Sequence, residues 1–251
     1  MTHLKNELEL AVLREAGKIH QGVVAKLKAA IVPGVTLLEL DKIAETEILK
    51  CGAIPSFKGF PGPSPFPASL CTMINSEVVH GIPDNRELQA GDILSVDCGV
   101  TFNGMIADAA FTVIVGGDET NPERARFSQI VNKALLAGCD QAVEGNTLGD
   151  IGYAIQRTVE SAGYSILKQF TGHGFGYTMH EDPYVLNYGT PGKGMKLKEG
   201  LTICIEPIVA MGKPQSKTLS DGWTEVTVDG KDACQWEHCG VVTKSGFEIF
   251  A

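Results

Sequence analysis

The sequence predicts an α+β fold of two similar halves, in which antiparallel strands curve together and helices cover the outer face. Two observations carry this: short motifs recur in the same order at a nearly constant offset, and each half reads as helices followed by hairpins. PGVTLLELDKIA, from Pro33, is answered by EGNTLGDIGYAI, from Glu144. Gly34, Thr36, Leu37 and Gly52 thereby correspond to Gly145, Thr147, Leu148 and Gly163 at an offset of 111. LQAGDILSVD (88–97) matches LKEGLTICIE (197–206) at an offset of 109. The chain is accordingly expected to be a single domain over residues 1–251, its halves being roughly 1–118 and 119–251.

In the first half, Leu8, Val12, Ala16, Ile19, Val23, Leu27 and Ala30 recur at helical spacing. Thr36 is placed as the hydroxyl cap of a second helix that ends near Gly52. PGPSPFP (61–67) cannot be regular structure and reads as a loop. Strands are expected over 93–100 and 105–115. The second half starts at Asn121-Pro122, a cap followed by a first-turn proline, with Phe127, Ile130, Val131, Ala134 and Leu135 forming the stripe. Thr147 caps the next helix, which ends near Gly163. Strands are then expected over 201–210, 223–228 and 233–243, with Asp229-Gly230 as a hairpin turn.

Composition excludes several classes. The net charge of −9, with no basic run, argues against a nucleic-acid or anionic-membrane surface, and no apolar run approaches membrane-spanning length. The seven cysteines are odd in number and irregular in spacing, with no C-x-x-C. The N-terminal MTHLKNELEL has no apolar signal core, so a reducing cytoplasm is expected.

Asp97 and Glu206 end equivalent apolar strands, and Asp108 and Glu237 fall in the next strand of each half. A lone acid or histidine is ordinarily a surface or structural residue. Four acids brought to one centre by a two-fold are different, because burying that charge without cations is prohibitive. TGHGFGYTMHEDP (171–183) adds His173, which would complete a ligand set for two divalent ions. His80 and His180 lie beside Pro-containing turns, HGIP and HEDP, and are candidates to line a cleft. HExxH, zinc-finger, G-x-S-x-G and Walker patterns are absent from the sequence.

AIPSFKGF, FPASLC, HGIP, the Asp97/Asp108 pair, GHGFGYTMHEDP, IEP and QWEH together resemble the type I methionine aminopeptidases over nearly the whole chain. The resemblance implies the pita-bread fold, with Asp97 chelating one ion, Asp108 and Glu237 bridging, and His173 and Glu206 on the other ion. A hydroxide activated by the two ions would attack the scissile carbonyl. Glu206 would shuttle a proton, His180 would hydrogen-bond the carbonyl or its oxyanion, and His80 would contact the amide nitrogen. Phe60, Phe66, Cys71, Met179 and Trp223 would line the methionine pocket. The ligand chemistry admits Co, Mn, Fe, Zn or Ni. Substrates would be peptides and nascent proteins with N-terminal methionine and a small second residue. The chain would act as a cytoplasmic monomer with transient ribosome association, and without nucleic acid or membrane partners.

The sequence departs from the family pattern at the insert-like PGPSP, at Ala107 before Asp108 where Gly is usual, and at Cys239 where Thr often follows Glu-His. The rivals are a prolidase or Xaa-Pro aminopeptidase, which generally carries an extra N-terminal domain, and a non-catalytic module, which would be expected to lose ligands.

Overall fold

The computed structural model describes residues 3–251. Helix α1 (Glu7–Ala30) is capped by Asn6, whose side chain accepts the amides of Leu8 and Glu9 while Glu9 reaches back to the Asn6 amide. Helix α2 (Leu37–Lys50) has the same reciprocal cap between Thr36 and Glu39. Strands β1 (Ile54–Pro55), β2 (Leu70–Ile74), β3 (Ile93–Phe102) and β4 (Met105–Ile114) follow, with β3 pairing β1, β2 and β4 in antiparallel fashion. Asn103 and Gly104 both take positive φ (47° and 78°), the backbone that suits a two-residue hairpin between β3 and β4.

The second half repeats the first. Helices α3 (Pro122–Cys139) and α4 (Leu148–Ser161) are followed by β5 (Ser165–Ile166), β6 (Gly172–Gly174), β7 (Glu181–Val185), β8 (Thr202–Ile205) and β9 (Ile208–Ala210). Then come β10 (Ser216–Thr218), β11 (Glu225–Thr227), β12 (Ala233–Gln235), β13 (His238–Val242) and β14 (Phe247–Ile249). Helix α4 starts and ends 111 residues after α2, and β5 lies 111 after β1. The ladders agree: Ile54 faces Thr101 and Pro55 faces Val100, while Ser165 faces Ala210 and Ile166 faces Val209. The repeat read from short motifs is therefore a repeat of strand register.

Three sequence expectations need correction. The strand expected over 201–210 is broken between β8 and β9 at Glu206-Pro207, because Pro207 cannot donate to a ladder. Opposite it, the 233–243 strand breaks at Trp236-Glu237. Asp229-Gly230 does turn the chain, but β11 pairs with β10 and with the 76–79 segment rather than with β12. The expected hairpin there does not form.

Each half has its own apolar core beneath its helices. Leu27, Leu40, Ile48 and Val96 belong to the first and Phe127, Val131, Ile155 and Ile203 to the second, with Trp236 packing against both. At roughly 1.5–3 kcal/mol for each fully buried large apolar side chain, these cores hold the helices of each half against its strands. The Glu237 amide donates to the Ala110 carbonyl (2.9 Å), so a direct backbone bond joins the halves beside the site.

Candidate metal centre and substrate cavity

The carboxylates of Asp97, Asp108, Glu206 and Glu237 and the imidazole of His173 line one cavity of about 260 Å³. Ligand atoms of Asp97, Asp108 and Glu237 lie within 4.8 Å of one another. His173 Nε2 is 3.4 Å from Glu206 Oε1. Cys204 also approaches His173 and Glu237, but it lies behind the cavity wall and burial holds its thiol neutral, so Glu206 is the better second partner of His173.

The ladders show how these side chains meet. Asp97 faces Ala110 and Asp108 faces Gly99 on the uninterrupted β3–β4 hairpin, so alternation puts both acids on one face. Glu206 and Glu237 lie between the Ile205–His238 and Ile208–Gln235 pairs. Asp97 and Glu206 thus hold equivalent rungs, but Asp108 and Glu237 do not: the rung equivalent to Asp108 carries Gln235. A two-residue slip leaves a side chain on the same face, so four acids still converge.

Strands β2 and β6 give a further repeat, at an offset of 100. Ile74 faces Leu94 as Gly174 faces Ile203, and Leu94 and Ile203 are repeat mates. His80 and His180 are therefore mates, as are Cys71 and Thr171, and all four line the cavity. His173 corresponds to the buried, apolar Met73. The imidazole is confined to one half.

Burial and mutual repulsion disfavour ionising the cluster by itself. Burial raises the carboxyl groups of Asp108, Glu206 and Glu237 far above their usual range, and repulsion among the acids adds to it. Burial pushes Asp97 up to about 7. Asp97 Oδ1, Asp108 Oδ1 and Glu237 Oε1 are buried without a hydrogen-bond partner. His173 Nδ1 donates to the Gly174 carbonyl (2.9 Å), which leaves the Nε2 lone pair free toward the acids. Burial, reinforced by His180, lowers this imidazole to about 4, so it is neutral and fit to ligate. Orphaned anionic oxygens beside a neutral imidazole fit divalent cations.

The other walls suit a substrate. Phe60, Phe66, Cys71 and Trp223 form an apolar side, joined by Phe57, which sequence reasoning missed. Met179 packs among these residues but one layer back, outside the cavity lining. Gln169, Phe170 and Gln235 are further wall residues with no sequence signal of their own. His180 stands against His173 (ring centroids 4.4 Å apart) and edge-on to Phe60, and His80 faces Trp223. The loop bearing His180 is tied down by Lys5, whose fully buried ammonium pairs with Glu181 at 2.7 Å; Glu181 also accepts the amides of Tyr177 and Thr178. Asp108 donates its amide to Cys239 Sγ (3.4 Å), so the cysteine found in place of threonine supports a proposed ligand.

A duplicated fold that buries acids and an imidazole at the junction of its halves, beside an apolar cavity, defines a metal-dependent hydrolase. Comparison with known proteins makes this specific. The model of metallopeptidase family M24 matches residues 11–244. Methionine aminopeptidase from Clostridium acetobutylicum is 46% identical over 99% of this chain and 98% of its own length. The crystal structure of methionine aminopeptidase from Thermotoga maritima superposes with a TM-score of 0.95 at 36% identity, covering 100% of this chain and 99% of that one. The chain belongs to metallopeptidase family M24 and, within it, to the methionine aminopeptidases. Prolidase from Pyrococcus furiosus, at 21% identity and a TM-score of 0.75, shares the fold alone; this chain covers 64% of it.

Proposed function

We propose that the cavity binds the N-terminal methionine of peptides and nascent proteins and hydrolyses the bond that follows it, preferably when the second residue is small. The observation that carries this is the trio of buried, unpartnered carboxylate oxygens on Asp97, Asp108 and Glu237, whose residues share one partly apolar cavity with His173. Asp97, Asp108, His173, Glu206 and Glu237 would hold two divalent ions drawn from Co, Mn, Fe, Zn or Ni. When bound, the ions lower the pKa of water and polarise the scissile carbonyl. Glu206, at the edge of the cluster, accepts a proton from the attacking water and returns it to the leaving amine. His180 donates a hydrogen bond to the carbonyl oxygen as charge develops there, and His80 orients the amide nitrogen. Phe60, Phe66, Cys71 and Trp223 take the thioether side chain, with Met179 supporting the wall.

The reading extends to a single catalytic unit with halves dividing near residue 118, acting as a monomer in the cytoplasm. All seven cysteines are free thiols, which suits a reducing compartment. Nascent-chain substrates imply a transient encounter with the ribosome. Assaying Met-Ala-Ser against a peptide with proline second tests the activity: release of methionine from Met-Ala-Ser is expected, and cleavage confined to the proline peptide would overturn it.

A further inference from the structure

The two halves differ by two long insertions, and the insertions touch. The offset between halves drops from 111 at β1/β5 to 100 at β2/β6, because the first half carries the longer loop before β2, including the proline-rich 61–65 segment. The second half replaces the Asn103-Gly104 turn with the 211–232 excursion that bears Trp223. Gly62 packs closely against the Trp223 indole: a Cβ placed on it would sit 2.3 Å from Cζ2 and 2.4 Å from Cη2. Gly62 is not one of the positive-φ glycines, so this glycine answers to space and not to backbone conformation. Trp223 Nε1 donates to the Ser64 carbonyl (3.1 Å), and Pro63 packs beside Gly222. The loop is closed by backbone bonds from Gly59 to Phe66 (2.8 Å) and from Phe66 to Phe60 (2.9 Å). Its prolines restrict the rest.

The 61–65 segment itself does not line the cavity, whereas Trp223 does, with Phe66 edge-on to it at 5.1 Å. The indole is thus held between a stiff loop and open space. We infer that residues 61–65 are a specificity brace that fixes the Trp223 wall of the side-chain pocket, and that Gly62 sets how far that wall stands from the substrate. The inference rests on the proposed methionine-binding role of this cavity. An added methyl at position 62 would overlap the indole. The exposed loop is held inward by its closing backbone bonds and by the Ser64 carbonyl's bond to Trp223, so displacement falls on the indole, toward the cavity. A looser loop would let the indole swing away and admit bulkier side chains.

The test uses the full chain with its two tryptophans labelled as 5-fluorotryptophan, which gives two fluorine resonances assigned through Trp223→Phe. In Gly62→Ala the Trp223 resonance should shift while that of Trp236 stays. The kcat/KM ratio for Met-Ala-Ser over the same peptide starting with the shorter norvaline should fall roughly tenfold, the scale of a methylene-sized misfit in an apolar pocket. Replacing Pro63, Ser64 and Pro65 together by glycine should broaden the Trp223 resonance and raise cleavage of a leucine-initiated peptide relative to Met-Ala-Ser. This second variant keeps the test open if Gly62→Ala does not fold. Unchanged selectivity in a folded variant would overturn the brace. Failure of the wild-type protein to release methionine would instead overturn the proposed function, with the fluorine shift still reporting on the loop–indole contact.

Discussion

The repeated ladders and the inserted segments do different work at the same site. The ladders supply paired chemistry: Asp97 with Glu206, His80 with His180 and Cys71 with Thr171 come from equivalent positions. The insertions supply shape, since Phe60, Phe66 and Trp223 stand on segments that have no counterpart in the other half. Duplication brings acids together cheaply, because one β-strand pattern written twice places them on facing sheets. It cannot by itself build a pocket for an asymmetric substrate. The departures from symmetry perform that task, including the replacement of an imidazole at 173 by a thioether at 73.

The largest effects should come from the ladder residues. Asp108→Asn or His173→Ala is expected to lower kcat/KM for Met-Ala-Ser by more than the ~10–100-fold typical of residues that only support a metal ligand. Steady-state assays with saturating Mn or Co check this, and activity within threefold of wild type would show that the cluster is not the catalytic centre.

Next in size is the buried tie beneath His180, which belongs to the loop and not to the ladder. Lys5→Met leaves Glu181 without its cation and should cost about 3 kcal/mol in urea unfolding, at the low end for a broken buried pair because Glu181 keeps some contact with water. Adding Glu181→Gln should recover part of that loss. Equal stability of the single and double variants would remove the electrostatic explanation.

The acid cluster also predicts a pH dependence for protein stripped of metal. Its carboxyl groups have folded-state pKa values raised above those of the unfolded chain, near 4. Between these values the unfolded chain has given up its protons and the folded chain has not. The cluster's own contribution to stability is therefore whole below about pH 4 and declines as pH rises toward neutrality and beyond. Other groups titrate over the same range, so the contribution is read as the difference in Tm between chelated wild type and chelated Asp108→Asn. Wild type should lose Tm relative to the variant as pH rises, and added divalent ions should flatten the wild-type profile. A difference that stays constant with pH would contradict the burial of these acids.

The smallest effects test the repeat itself. Thr36→Ala removes a hydroxyl that accepts the Glu39 amide, and Thr147→Ala removes the matching hydroxyl, which donates to the Asp150 carboxylate; each should cost about 1 kcal/mol without altering kcat. Clearly unequal losses would mean that the halves differ in local stability despite their shared register.

Much of this was legible in the sequence because local chemistry carried it. The threonine caps, the glycine helix ends and the acids closing apolar strands are all written within a few residues of one another. Register was not. That Gln235, not Glu237, occupies the rung equivalent to Asp108 depends on pairing between distant strands, which no local pattern encodes. The His80/His180 repeat was present in HGIP and HEDP, but its offset of 100 becomes meaningful only once β2 and β6 are seen to pair equivalently. Lys5 gave no signal, since a lysine near the N-terminus is ordinarily solvated. Phe57 and Phe170 were hidden for another reason: an aromatic residue in a loop reads as an anchor until the cavity it faces is known.

The central claim is that five side chains from both halves form one site for two divalent ions. Calorimetric titration of chelated protein with Mn tests it most directly. The account predicts two ions bound per chain in the wild type and loss of at least one in Asp108→Asn; no binding, or an unchanged stoichiometry in that variant, would contradict it.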